Sequence, residues 1–165
     1  MDQKATDFKR IFGTMMAAKV DAIVIGGAAA NLLGSPRYTL DVDIVYARTR
    51  ENMQRIVEWL KSFHPYLRGA PPGLPFHLDL RTLEMGLNFT FVTDLGNIDI
   101  LGEVLGGGHY EDLLPFSEIR PAYGFNLRCI KLDKLIEIKR ASGRTKDFEG
   151  IAELEIVRQE ETRQS

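Results

Sequence analysis

Apolar side chains recur at spacings of three and four between Asp7 and Val20, where Phe8, Ile11, Phe12, Met15, Met16 and Val20 mark one face of an expected helix. Asp21-Ala22-Ile23-Val24-Ile25 is short and almost wholly apolar, as a buried strand is. The Gly26-Gly27 break then leads into Ala28-Ala29-Ala30-Asn31-Leu32-Leu33, a compact helix stopped by Gly34 and Pro36. Beyond the loop Ser35-Pro36-Arg37-Tyr38-Thr39, the segment Asp41-Val42-Asp43-Ile44-Val45-Tyr46 opens with acid and apolar residues in alternation, the period of a strand. Helical spacing returns at Met53, Ile56, Val57 and Leu60.

Pro65 and the stretch from Gly69 to Pro75 hold four of the seven prolines, which predicts a loop within 64–86, either a lid or a variable connection. Leu87 to Thr93 and Asn97 to Leu101 flank Asp94-Leu95-Gly96, the pattern of an antiparallel hairpin. Gly106-Gly107-Gly108 closes that section, Leu127 to Ile130 reads as a further strand, and Leu132–Ala141 and Asp147–Arg158 read as two helices split at Ser142-Gly143. No internal repeat or interdomain linker interrupts this order, so residues 1–165 are expected to form one domain.

Composition narrows the class. Apolar residues make up 44% and charged residues 27% of the chain, enough to bury a core. A formal net charge of −2 excludes binding of nucleic acid by bulk positive charge. A single cysteine, Cys129, can form neither an internal disulfide nor a thiolate zinc site. With no apolar run near the ~18–20 residues of a membrane span and no apolar segment after Met1-Asp2-Gln3-Lys4, a cytoplasmic, non-membrane protein is expected.

The chemistry concentrates in acids on strands. Asp41 and Asp43 are two apart, so both carboxylates leave one face of their strand. Asp99 sits between Ile98 and Ile100 on the hairpin, and a neighbouring strand would add a third carboxylate to that face. Three carboxylates in reach repel one another strongly, and an oxygen-liganded divalent cation such as Mg²⁺ relieves the repulsion. Upstream, Gly26 and Gly27 open a helix whose N-terminal N–H groups suit phosphate, and Arg37 and Thr39 offer a guanidinium and a hydroxyl to the same polyphosphate. A glycine turn from strand to helix also begins dinucleotide-binding units, but Ala28 and Asn31 stand where the later glycines of that fingerprint fall.

Gly26-Gly27-x-Ala29, Gly34, Arg37, Thr39, Asp41-x-Asp43 and Ile98-Asp99 together resemble the DNA polymerase β-type nucleotidyltransferase superfamily, and within it the minimal bacterial members of toxin-antitoxin and abortive-infection systems. The motifs span residues 23–101, and residues 131–158 resemble the final helices of that group. The resemblance implies an α+β, palm-like fold with a mixed sheet and flanking helices. It also implies two Mg²⁺ ions, with Mn²⁺ as a substitute, and transfer of a nucleoside monophosphate from an NTP such as ATP to a hydroxyl, with pyrophosphate released. Asp41 and Asp43 then bind metal, and Asp99 binds the metal that activates the acceptor. Gly27 stands where many members carry a phosphate-contacting Ser. The acceptor is left open among tRNA, a protein hydroxyl and a small molecule, as is a cognate toxin or antitoxin partner. The alternative is a catalytically inactive nucleotide- or partner-binding module of the same fold.

Residues 128–146 carry seven Lys and Arg against Asp133 and Glu137, a local net of +5, which suits either a solvated helix face or a triphosphate or RNA contact. Lys139 and Lys146 are its phosphate-binding candidates by resemblance. His64, His77 and His109 share no metal-ligand spacing, Cys129 reads as a small core residue, and Trp59 as packing.

Overall fold

Asp7 ends the irregular N-terminal segment by accepting the Arg10 N–H at 3.1 Å, and helix α1 (Phe8–Ala17) follows, burying Ile11, Phe12 and Met15. Strand β1 (Ala22–Ile25) is buried along its whole length and runs straight into α2 (Gly26–Leu32) and then β2 (Asp41–Tyr46). Thr49 caps α3 (Arg50–Leu60), its side chain accepting the Asn52 N–H at 3.2 Å. The buried Asn52 amide ties two strand ends together: it accepts from the Asp21 N–H at 2.7 Å and donates to Asp21 O at 2.9 Å and Ala47 O at 2.8 Å. Trp59 on the same helix packs as its sequence suggests, with Nε1 donating to Thr14 Oγ1 at 2.9 Å. This computed structural model describes residues 5–164, and residues 145–147 by their backbone alone.

The expected loop region holds more order than its prolines predict. It contains the two-residue strand β3 (Tyr66–Leu67) and α4 (Leu80–Met85), which is capped by Asp79 accepting the Thr82 N–H at 2.8 Å. The irregular part runs between them. The hairpin forms as β4 (Asn88–Thr93) and β5 (Gly96–Leu101), followed by the short α5 (Tyr110–Leu113), β6 (Ser117–Ala122), β7 (Phe125–Ile130), α6 (Leu132–Ser142) and α7 (Thr145–Gln164). Gly143 takes φ +65°, the left-handed conformation that ends α6 and turns the chain into α7.

Among the described residues, seven strands form one mixed sheet in the order β3-β4-β5-β2-β1-β7-β6. β1 runs antiparallel to β2 and parallel to β7, while β2 runs parallel to β5. That antiparallel return excludes the dinucleotide-binding reading of Gly26-Gly27, because such a unit brings its second strand back parallel to the first. Val42, Ile44 and Tyr46 of β2 are fully buried and share a face with Val24, Ile98 and Ile100 in the core, so the alternate positions Asp41 and Asp43 face the other side of the sheet. Among the described residues no helix is long and apolar enough to cross a membrane.

Candidate active site

Strand pairing decides which acids meet. β2 and β5 are parallel neighbours with Asp43 opposite Asp99 and Asp41 opposite Asn97. The expectation that the hairpin would bring a third carboxylate to the Asp41–Asp43 face therefore holds in the register. Asn97 Nδ2 donates to Asp41 Oδ1 at 3.0 Å. Asp43 carries the electrostatic load: burial, the charge of Asp99 and the contact with its carboxyl, and the charge of Asp41 together push its pKa up to about 7 against the opposing effect of Arg68.

Gly26 explains how such a carboxylate fits at the end of β1. It takes φ +65°, and a Cβ built there would stand 2.2 Å from Asp43 Oδ2. Gly27 is closed in by the following loop, since its Cβ would stand 2.7 Å from Thr39 Oγ1. Asn31 holds that loop by donating from Nδ2 to Ser35 O at 3.0 Å and to Arg37 O at 2.6 Å, and the Thr39 hydroxyl donates to Asp41 O at 3.3 Å. The result is a cleft of about 200 Å³ lined by Gly26, Gly27, Arg37, Thr39, Asp41, Asp43, Lys139 and Arg144, among others. A second, more apolar lobe of about 390 Å³ shares Gly26, Asp43, Lys139 and Arg144 with it and extends over Leu101, Val104, Leu135 and Ile138.

Eight of the nine residues singled out in the sequence have described side chains or backbone in this neighbourhood. Asp41, Asp43, Gly26, Gly27, Arg37, Thr39 and Lys139 line the cleft, and Asp99 adjoins Asp43 on β5. The ninth, Lys146, has its side chain outside the described residues. Arg37 reaches toward α7, 3.6 Å from Glu149 and 3.8 Å from Glu153. Arg144 joins Lys139 on the wall; in the sequence it was one of seven cations in a basic stretch, with nothing to separate it from the rest.

Much of that stretch is committed elsewhere. Lys134 pairs with Glu137 at 2.8 Å, Arg140 with Glu155, and Arg128 donates to Ser117 Oγ at 3.0 Å. The helix-face reading thus describes Lys134 and Arg140, and among the described side chains of this stretch Lys139 and Arg144 line the cleft. None of the three histidines lines the cleft: His64 pairs with Asp94 at 2.6 Å and His109 caps α5. Cys129 is buried in β7 and its thiol is pushed up to about 12 by burial, which leaves it a core residue.

Arg68 was not legible as a site residue. It forms an ion pair with Asp99, with Nη2 on Oδ1 and Nη1 3.4 Å from Oδ2, and Nη2 also donates to Phe91 O at 3.2 Å. Its Nε is buried without a hydrogen-bond partner. With Asn97 on Asp41 and Arg68 on Asp99, no three His, Cys, Asp or Glu side chains among the described residues are gathered as a ready-made cation cage. The Asp41–Asp43 pair nevertheless fits a hard divalent cation. Its donors are all oxygen, Asp43 is crowded by the carboxylates of Asp99 and Asp41, whose repulsion a cation relieves, and the missing Cβ of Gly26 leaves the space beside Oδ2 clear.

No known family model matches the chain, and no curated protein is recognisably similar to it in sequence. Its fold does match solved structures. A candidate nucleotidyltransferase from Thermotoga maritima aligns at TM-score 0.57 and 18% identity over 87% of each chain. The lincosamide antibiotic adenylyltransferase LnuA, in its lincomycin-bound form, aligns at TM-score 0.61 and 14% identity, over 93% of this chain and 99% of its own. The antibiotic-resistance factor ANT(2'')-Ia aligns at TM-score 0.51 and 16% identity, over 94% and 89%. The chain has the α+β fold of the polymerase β-type nucleotidyltransferases, as its motifs suggest.

Proposed function

We propose that this protein is a divalent-metal-dependent nucleotidyltransferase that moves a nucleoside monophosphate from an NTP to a hydroxyl group of a small molecule, with pyrophosphate leaving. The observation that carries the reading is the pairing of Asp43 with Asp99, with Asp43 next to Gly26 on a cleft that Arg37, Lys139 and Arg144 also line. Asp41 and Asp43 would hold Mg²⁺, or Mn²⁺ in its place, and Asp99 would join Asp43 on the acceptor side. Bound there, the ions supply charge neutralisation at the α-phosphate and make the acceptor hydroxyl more acidic.

The chain's own residues do the rest. Arg37, Lys139 and Arg144 oppose the charge of the β- and γ-phosphates, which grows as pyrophosphate departs. Gly26 and Gly27 let the triphosphate lie against the backbone at the start of α2, which no side chain caps. The loop pinned by Asn31 fixes Arg37 and Thr39 relative to Asp41, so the phosphate cradle and the carboxylates move as one unit.

A small-molecule acceptor is favoured over RNA by two features. The lobe of about 390 Å³ beside Asp43 lies in the usual size range of small-ligand pockets, and two cations of the C-terminal basic stretch, Lys134 and Arg140, are engaged by Glu137 and Glu155. LnuA, captured with lincomycin, is a likeness in fold that agrees with this choice. The reading is tested by pyrophosphate release with each of the four NTPs, Mg²⁺ and three acceptor sets: a panel of hydroxyl-bearing small molecules, tRNA and purified cellular protein. Release with the small-molecule panel is expected. Release with tRNA or protein alone would move the acceptor class while keeping the chemistry, and would admit a role in a toxin-antitoxin pair. The second reading, an inactive binding module, draws support from the Arg68 guanidinium on Asp99 and predicts NTP binding with no release under any condition.

The phosphate cradle makes its own prediction. Gly27→Val drives a β-branched side chain into Thr39, and Arg37→Ala removes a guanidinium from the wall. Each is expected to weaken NTP binding about tenfold while NMP binding changes little, the equivalent of one charge-assisted hydrogen bond or one displaced loop. Calorimetric titration with both ligands and Mg²⁺ reads this ratio. An NTP-to-NMP affinity ratio unchanged in both variants would place the phosphates elsewhere.

A further inference from the structure

Arg68 owes its place to the sheet. Its backbone N–H donates to Thr90 O at 2.9 Å, one residue past the end of β3. Thr90 pairs with Asp99, and Asp99 with Asp43, so Arg68, Thr90, Asp99 and Asp43 form one row across four neighbouring strands. Strands lie about 4.8 Å apart, so a residue two strands from Asp99 needs a side chain of arginine length to reach its carboxylate. The guanidinium engages both oxygens of Asp99, whose side chain is only 15% exposed.

We propose that Arg68 is a positioning residue that acts as an internal counter-cation for Asp99, so that the resting site takes one divalent cation, on Asp41 and Asp43, and the acceptor-side cation binds only at the expense of the Arg68 fork. The inference rests on the nucleotidyltransferase reading above. A cation shared by Asp43 and Asp99 and the guanidinium compete for the same carboxylate oxygens, and two positive charges in that space repel. The fork is poised to yield. Its Nε N–H is buried with no acceptor, so one of the five guanidinium donors is unsatisfied in the resting position. Arg68 is also 31% exposed and adjoins the irregular segment 70–79, which gives its side chain an outward path that Asp99 lacks.

The test is the number of Mn²⁺ ions bound by the nucleotide-free protein, read from the electron paramagnetic resonance of free Mn²⁺ during titration. The parent is expected to take one ion, and Arg68→Ala a second with an affinity about tenfold or more above any second site in the parent, the equivalent of one charge-assisted hydrogen bond removed. Arg68→Lys, which keeps the charge and loses the fork, is expected to fall between them and stands in if Arg68→Ala does not fold. A merely structural arginine would leave the stoichiometry unmoved. Two ions of equal affinity in the parent and both variants would overturn the inference and leave the nucleotidyltransferase reading intact. One ion in all three proteins would also overturn it, since removing Arg68 would then have opened nothing. No binding beyond that of an Asp41→Asn/Asp43→Asn control, in any of the three, would overturn the metal-dependent reading itself and this inference with it.

Discussion

Asp43→Asn is expected to lose transfer about a thousandfold or more, the scale of several kcal/mol of lost charge stabilisation. At the same time, its metal-free form should melt several degrees above the parent at pH 8. The two effects share one cause. The folded protein holds the Asp43 carboxyl near pKa 7, well above the ordinary carboxylate value of 3.8, by burial and by the charges of Asp99 and Asp41. The native state therefore binds a proton more tightly than the unfolded chain. Its stability falls as pH rises from about 4 to 7, and the penalty is fully present above that range. Three pKa units correspond to at most about 4 kcal/mol, from which the cost of burying an Asn amide is to be subtracted. The prediction is thus a variant more stable than the parent at pH 8, less stable than it near pH 4 by the amide cost alone, and inactive throughout. Saturating Mg²⁺ should narrow the gap at pH 8 by stabilising the parent alone. A variant less stable than the parent at pH 8 would mean that Asp43 is not held under strain.

Gly26→Ala should be nearly as damaging, although only one methyl group is added. The position has φ +65°, which costs an L-residue ~1 kcal/mol, and the new Cβ would stand 2.2 Å from Asp43 Oδ2, so the carboxylate must rotate away. A displacement of about 1 Å in a reacting geometry costs on the order of a hundredfold in rate. The expected signature is a kcat lowered about a hundredfold with the KM for NTP nearly unchanged, because the cationic wall of Arg37, Lys139 and Arg144 is left in place. Steady-state kinetics in Mg²⁺ separates the two constants. A change confined to KM would assign Gly26 to phosphate binding alone.

The parts of this site that were legible in the sequence are those set by short periods. Alternation put Asp41 and Asp43 on one face, and the apolar-acid-apolar setting of Asp99 inside a hairpin brought it within one strand of them. Gly26-Gly27 was visible as a strand-to-helix break, and Gly143 as a helix stop. Strand β6 was not visible, because Ser117-Glu118-Ile119-Arg120-Pro121-Ala122 carries a proline and half-exposed polar residues, as an edge strand does. The order inside segment 64–86 was hidden for a related reason: β3 has two residues and owes its existence to β4, and α4 is six residues long. Arg68 depended on both. Its meeting with Asp99 requires the β3–β4 and β4–β5 registers together, and no pattern local to residue 68 encodes them.

Nucleotide transfer by the carboxylates of this cleft is tested by incubating the parent, Asp41→Asn and Asp43→Asn with each α-labelled NTP, Mg²⁺ and the same fractionated extract, and counting label in every fraction. Label is expected in a small-molecule fraction with at least one NTP, dependent on Mg²⁺ and absent from both variants. Label transferred equally by the parent and both variants, or by none of the three with any NTP, would contradict that role of the carboxylates.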